Sequence, residues 1–211
     1  MLEQSSYSSS ELIADGVIHA LGLAAVTLGI VLLCHLVLPE PTHLVAAGLY
    51  ILGLAATFAF SAAYNLAPAG PIKSYLRRLD HAAIFVMIAG TYTPVALLAV
   101  GGTPGTILLV FVWSIGLLGA VMKIVFPGRF ERLSFAAYII LGWAGLLALF
   151  PMMRVLTSEE IGFLALGGIL YSAGAFVHLS LHLRYHNAIW HAFVVSAAAC
   201  HYWVILQLVT R

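Results

Sequence analysis

Seven continuous apolar stretches fill most of this chain, each near the twenty or so helical residues that span a bilayer core. They are read at 17–38, 43–66, 80–101, 105–126, 133–152, 160–182 and 188–209. Breakers separate them: Pro39 and Pro41, Pro68 to Pro71, Gly101 to Gly105, and Pro127-Gly128. Because the runs are continuous rather than alternating, they predict helices and not a barrel. Only 8% of the 211 residues are charged and 63% are apolar, with a mean hydropathy of +1.06, where a soluble domain has roughly a quarter charged. Too few polar residues remain to cover an aqueous surface. The expectation is an all-α integral membrane protein, a seven-transmembrane helix bundle in the cell (plasma or inner) membrane. It forms one domain over 1–211, with a short polar tail at 1–15.

The basic residues orient that bundle. With seven spans, the N-terminal tail shares a side with loops two, four and six, which hold Lys73, Arg77, Arg78, Lys123, Arg129, Arg132 and Arg184. The other side holds only Arg154 and Arg211. This bias predicts a cytoplasmic N-terminus and a C-terminus outside. The tail Met1 to Ser10 has neither Lys nor Arg and no cleavage site after a short apolar core, so it does not read as a secretory signal. Cys34 and Cys200 both fall inside predicted spans, which argues against a disulfide framework. A net charge of +1 offers no footprint for nucleic acid.

Polar residues inside such spans are costly and therefore functional candidates. Most collect toward the predicted inner side. Glu11, Asp15 and His19 lie before or at the start of the first span, and Ser61 and Asn65 end the second. Asp80 and His81 open the third, His178 and His182 end the sixth, and His186, Asn187 and His191 open the seventh. Within these groups the i,i+4 spacing recurs, which stacks the side chains on one helix face. Imidazoles and carboxylates at that spacing suit a divalent metal, and catalytic zinc takes three protein ligands plus an open position. Plainer readings stand beside this one. Asp80 and His81 can cap the third helix or pair with the basic loop before it. Ser61 can bond back to its own helix. His178 and His182 can sit at the interface, as can His35 and His43 on the other side, and His201 suits an interhelical hydrogen bond.

Three segments carry a resemblance: Ser61-Ala-Ala-Tyr-Asn65, Leu79-Asp-His-Ala-Ala-Ile-Phe-Val-Met-Ile-Ala-Gly-Thr-Tyr-Thr-Pro94, and Asn187-Ala-Ile-Trp-His191-Ala-Phe-Val. They resemble the signature blocks of the hemolysin III family, the bacterial branch of the progestin and adipoQ receptor (PAQR) superfamily. Glu11, His19, Tyr138, Gly142-Trp143, Gly167-Gly168 and Tyr171-Ser172 add to the likeness, which covers nearly the whole chain. The resemblance implies seven helices with a cytoplasmic N-terminus. It also implies a zinc site of three histidines, two from the start of the seventh helix and one from the end of the second, with a Ser and an Asp beside the metal-bound water. Ser61, Asp80 and His191 match that pattern. Asn65 and Asn187 stand where the family has ligand histidines, and an amide oxygen suits calcium or magnesium better than zinc.

Two readings of the site stay open. His186, one residue out of register with the lost ligand, could replace it, with His182, His81 and His178 at a similar depth. Alternatively the asparagines bond with Ser61, Asp80 and His191 in a metal-free cluster that holds the second, third and seventh helices together. Two functional classes follow. One is a membrane protein that senses lipid state, maintains membrane homeostasis or is cytolytic as the family name suggests. No span carries the polar stripe of a monomeric pore, so a pore would need a homo-oligomer. The other class resembles the alkaline ceramidases: a zinc-dependent hydrolase of lipid amides, with Asp80 as base and Ser61 orienting the water or stabilising the oxyanion. Membrane lipids are the expected partners in both.

Overall fold

The computed structural model describes residues 7–211, so the first six residues of the polar tail at 1–15 lie outside the described residues. Among the described residues, seven helical segments are long and apolar enough to cross a membrane. They comprise α1 (Ser9–Leu36), α2 (Pro41–Leu66), α3 (Pro71–Pro94), α4 (Gly102–Val125), α5 (Glu131–Gly142) with the short α6 (Leu149–Met152), α7 (Ser158–Leu179) and α8 (His186–Thr210). The all-α seven-helix architecture expected from the apolar runs is what forms.

Several helices begin earlier than hydropathy predicts, because polar first turns are invisible to it. α1 starts at Ser9 rather than near residue 17: the Ser8 side chain accepts from the Glu11 N–H, and Glu11 reaches back to the Ser8 N–H. Glu11, Asp15 and His19 therefore lie within the helix. α3 starts at Pro71 rather than 80, where proline lacks the N–H that a first turn leaves unpaired. Its charged opening turns, Lys73 to Arg78, precede the apolar run.

Two spans are not regular. Pro94, which has no N–H to donate, is followed by a stretch of wider turns over Val95–Val100. The fifth span, expected to be continuous over 133–152, is broken at Trp143 and tightens into a 3₁₀ segment at Ala144–Ala148. The cause is the Tyr92 hydroxyl, which donates to the Gly142 carbonyl (2.9 Å) and accepts from the Gly145 N–H (2.7 Å). It replaces helical bonds lost at the break.

α8 packs against α7, α1, α2 and α3, and its Val204, Ile205, Leu208 and Val209 are fully or almost fully buried. α2 and α3 approach through glycine. A Cβ at Gly53 would stand 2.9 Å from Met87 Cα, and one at Gly90 would stand 2.7 Å from Leu49 O. Only glycine permits that backbone contact. The outward faces stay apolar: Leu21, Leu28 and Val31 on α1, and Leu117 and Leu118 on α4, are exposed. Such a surface suits lipid tails and not water. At the opposite end from the loops bearing most Lys and Arg, Arg211 pairs with the buried Glu160 at 3.0 Å. In the first turn of α2, His43 lies 3.6 Å from Glu40, the residue that precedes the helix.

Candidate functional site

The basic end of the bundle is assembled by Glu11. Its carboxylate caps α1 and also accepts from the Tyr185 N–H at 3.1 Å. Tyr185 has a left-handed backbone (φ 61°) immediately before α8. That contact sets the start of α8 against the start of α1. Asp15 and His19, four and eight residues after Glu11, then face Asn187 and His191 on the first turns of α8.

What results is a buried cluster centred on Asp15. Asp15, His19 and His191 are each less than a tenth exposed. His191 Nδ1 lies 2.6 Å from Asp15 Oδ1, and His191 Nε2 lies 3.4 Å from Ser61 Oγ. With the carboxylate as acceptor, Nδ1 carries the proton and Nε2 accepts from the Ser61 hydroxyl. Asn187 Nδ2 donates to Asp15 Oδ2 (3.0 Å) and to Asn65 Oδ1 (3.1 Å). Asn65 in turn donates to the Ser61 carbonyl at 2.9 Å. The His19 and His191 rings pack with centroids 4.3 Å apart. His19 Nε2 faces Asp15 Oδ2 at 3.6 Å and is buried with no hydrogen-bond partner.

One ligand atom from each of Asp15, His19 and His191 lies within 4.8 Å of the others, so these three residues could hold a metal ion. Two imidazoles and one carboxylate are a donor set found in catalytic zinc sites and in non-haem iron sites. The three family positions do not fit a metal as well. Of Asn65, Asn187 and His191, only His191 is an imidazole, and the Asn65 carbonyl already accepts from Asn187.

The residues singled out from sequence divide clearly. Ser61, Asn65, Asn187 and His191 come together, and Asp80 stands beside Ser61 and His19. The cluster thus ties α2 and α8 to α1 as well, with Asp80 of α3 beside Ser61. His186 is buried but turned to the Tyr7 hydroxyl (3.3 Å) and the Leu183 carbonyl (3.1 Å). His182 is exposed in the turn before α8. His81 lines a separate basic cavity, and His178 packs on Trp190. His201 meets the Leu164 carbonyl at 3.1 Å, an interhelical contact. Asp15 and His19 belong to the i,i+4 groups that suit a divalent metal, although neither stands at a family ligand position. Their signal was the i,i+4 run from Glu11, in register with Asn187 and His191.

A family profile described as Haemolysin-III related matches residues 9–202, which includes every residue of the cluster. The chain belongs to the haemolysin III family. The "Hemolysin-3" of Bacillus cereus is 34% identical over 201 residues, covering 93% of this chain and 90% of that protein. The "Hemolysin-3 homolog" of Bacillus subtilis (strain 168) is 43% identical over 134 residues, 64% of this chain and 63% of the relative, so that match spans under two thirds of either. The human "Monocyte to macrophage differentiation factor" is 26% identical over 201 residues, 92% of this chain and 82% of its own. These relatives support the tie to the PAQR superfamily. Seven membrane-spanning helices in this family make the chain a multi-pass cell-membrane protein.

Proposed function

We propose that this protein is a metal-dependent hydrolase of membrane-lipid amides whose ligand set keeps His191 and replaces the two missing family histidines by Asp15 and His19, with zinc as the metal. The observation that carries this reading is the buried His19 Nε2, which makes no short hydrogen bond and lies 3.6 Å from the Asp15 carboxylate beside a second imidazole. A buried imidazole nitrogen without a partner is costly, and a cation would satisfy it. When bound, a divalent ion supplies Lewis acidity and a water of lowered pKa. The chain's own groups do the rest. Asp15 fixes the His191 ring, Asn187 and Asn65 hold the carboxylate and the end of α2 in place, and the Ser61 hydroxyl, released from His191 Nε2 when that nitrogen ligates a metal, would be free to donate to a developing oxyanion. Asp80, beside Ser61, is the group placed to take a proton.

Elemental analysis of the purified full-length protein, paired with turnover of a ceramide in mixed micelles, tests this. One zinc per chain with hydrolysis, both lost in His19→Ala, is the expected result. A second reading, a lipid sensor without turnover, is favoured by the closed hydrogen-bond chain through Asn65 and Asn187. Stoichiometric zinc without hydrolysis selects it. Absence of both zinc and hydrolysis removes the hydrolase and leaves a metal-free clamp between α1, α2 and α8, as the sensor reading expects.

The proposed orientation places this centre at the cytoplasmic leaflet. In a cysteine-free background on intact cells, an impermeant thiol reagent should label Thr103→Cys and spare Ser74→Cys. The reverse pattern would invert the protein.

A further inference from the structure

The first turns of α3, the last turn of α4 and the start of α5 enclose a cavity of about 190 Å³ at the basic end, lined by Ser74, Arg77, Arg78, His81, Lys123 and Glu131 among others. Its charges do not balance. Lys123, only 3% exposed, is paired with Glu131 at 2.6 Å, and Arg77 reaches the same carboxylate at 3.6 Å. One carboxylate thus serves two cations, and Arg78 adds a third whose Nε is buried without a hydrogen-bond partner. A surplus of guanidinium donors around a small cavity is the arrangement that receives a phosphate, since the planar fork matches its oxygens. Close to these lining residues in the chain, Ile72, Phe130 and Leu133 are apolar and each more than half exposed.

We propose that this cavity is a headgroup site for an anionic phospholipid. Arg77 and Arg78 bind the phosphate, and the acyl chains lie along the exposed apolar residues that neighbour the lining in the chain. The lipid source follows from the position of the cavity at one end of membrane-spanning helices whose exposed residues, Phe130 and Leu133 among them, are apolar, so that a phosphate is presented there by a lipid. Basic pockets at helix ends recognise such headgroups. The site shares no ligand with the Asp15 centre and does not rest on the function proposed for it.

The test uses the purified full chain in a neutral detergent, titrated with phosphatidylglycerol, phosphatidylcholine or sodium phosphate, with bound lipid per chain read by native mass spectrometry. Phosphatidylglycerol should saturate at one per chain and outcompete phosphatidylcholine. Arg78→Gln should weaken it by about tenfold, the scale of a lost charge-assisted hydrogen bond. Arg78→Lys, which keeps the charge but not the fork, should fall between. Arg129→Gln, an exposed arginine outside the cavity, should change affinity by less than about twofold, as scattered surface charge does. Equal effects of Arg78→Gln and Arg129→Gln would mean diffuse attraction only and overturn the site. So would equal binding of the two lipids. Displacement of phosphatidylglycerol by phosphate at matched concentration would make a free anion the ligand and overturn the lipid assignment.

Discussion

Around Asp15 one carboxylate is shared by two imidazoles and an amide, all on short side chains held within the helices. Around Glu131, at the same end of the bundle, one carboxylate is shared by long cationic side chains that reach a cavity from helix ends. The first cluster is rich in lone pairs and leaves an imidazole nitrogen unpartnered; the second is rich in donors and leaves a guanidinium nitrogen unpartnered. Burial makes each omission costly, and opposite ligands would remove it. A cation fits the first and an anion the second. The contrast separates two roles that a simple tally of polar residues at this membrane face would merge.

The largest expected effect lies in the first cluster. Asp15→Asn keeps the shape of the side chain but removes its charge, and zinc affinity should fall by more than the ~10–100-fold typical of losing an outer partner of a metal ligand. Competition against a fluorescent chelator measures it, while phosphatidylglycerol binding stays unchanged. Undiminished zinc affinity would show that the ion, if bound, sits elsewhere. Next comes the double change Asn65→His with Asn187→His, which restores imidazoles at the family positions. With zinc at 100 times the Kd of the new site, stability should rise by about 2.7 kcal/mol, seen as a higher Tm that chelator abolishes. A gain no greater than that of the unmodified chain would mean that Asp15, His19 and His191 already hold the ion fully.

How much of this could be read beforehand depends on what each residue needs from its neighbours. The seven spans were legible because lipid demands long apolar runs from one segment at a time. The start of α1 at Ser9 was not, since a capping box adds polar residues to a helix that hydropathy then ends too soon. Ser61, Asn65, Asn187 and His191 were legible from their i,i+4 stacking and family likeness. The part played by Asp15 and His19 was hidden, because it depends on Glu11 bridging to the Tyr185 N–H, 174 residues away. The basic cavity was hidden for the same reason: Lys123 and Glu131 meet only through the turn at Gly128 and Phe130, both with positive φ.

A smaller effect is expected in the second cluster. Glu131→Gln leaves the buried Lys123 ammonium without its anion. Because the Glu131 carboxylate is itself 41% exposed, the cost should be near ~2 kcal/mol, below that of a fully buried unpaired charge. Phosphatidylglycerol should recover part of the lost Tm, since its phosphate brings negative charge to the same cavity. A variant as stable as the parent without lipid would show that Lys123 finds another partner, and the donor-rich half of the contrast would weaken.

The smallest effect tests whether the two clusters are independent. α5 carries Glu131 at its start and Tyr138, whose hydroxyl donates to the His81 carbonyl at 2.8 Å. The far end of α5 is pinned by Tyr92 at the break near Trp143. Tyr92→Phe removes that pin and leaves the Gly142 carbonyl and Gly145 N–H to find other partners, at a cost of about 1 kcal/mol. The loosened α5 should hold Glu131 less firmly against Lys123, so phosphatidylglycerol affinity should drop a little. Zinc uptake should not change, because α1, α2 and α8 build the Asp15 centre without α5. A parallel loss in both assays would mean that α3, which carries Tyr92, His81 and Asp80 alike, couples the two ends of the comparison into one unit.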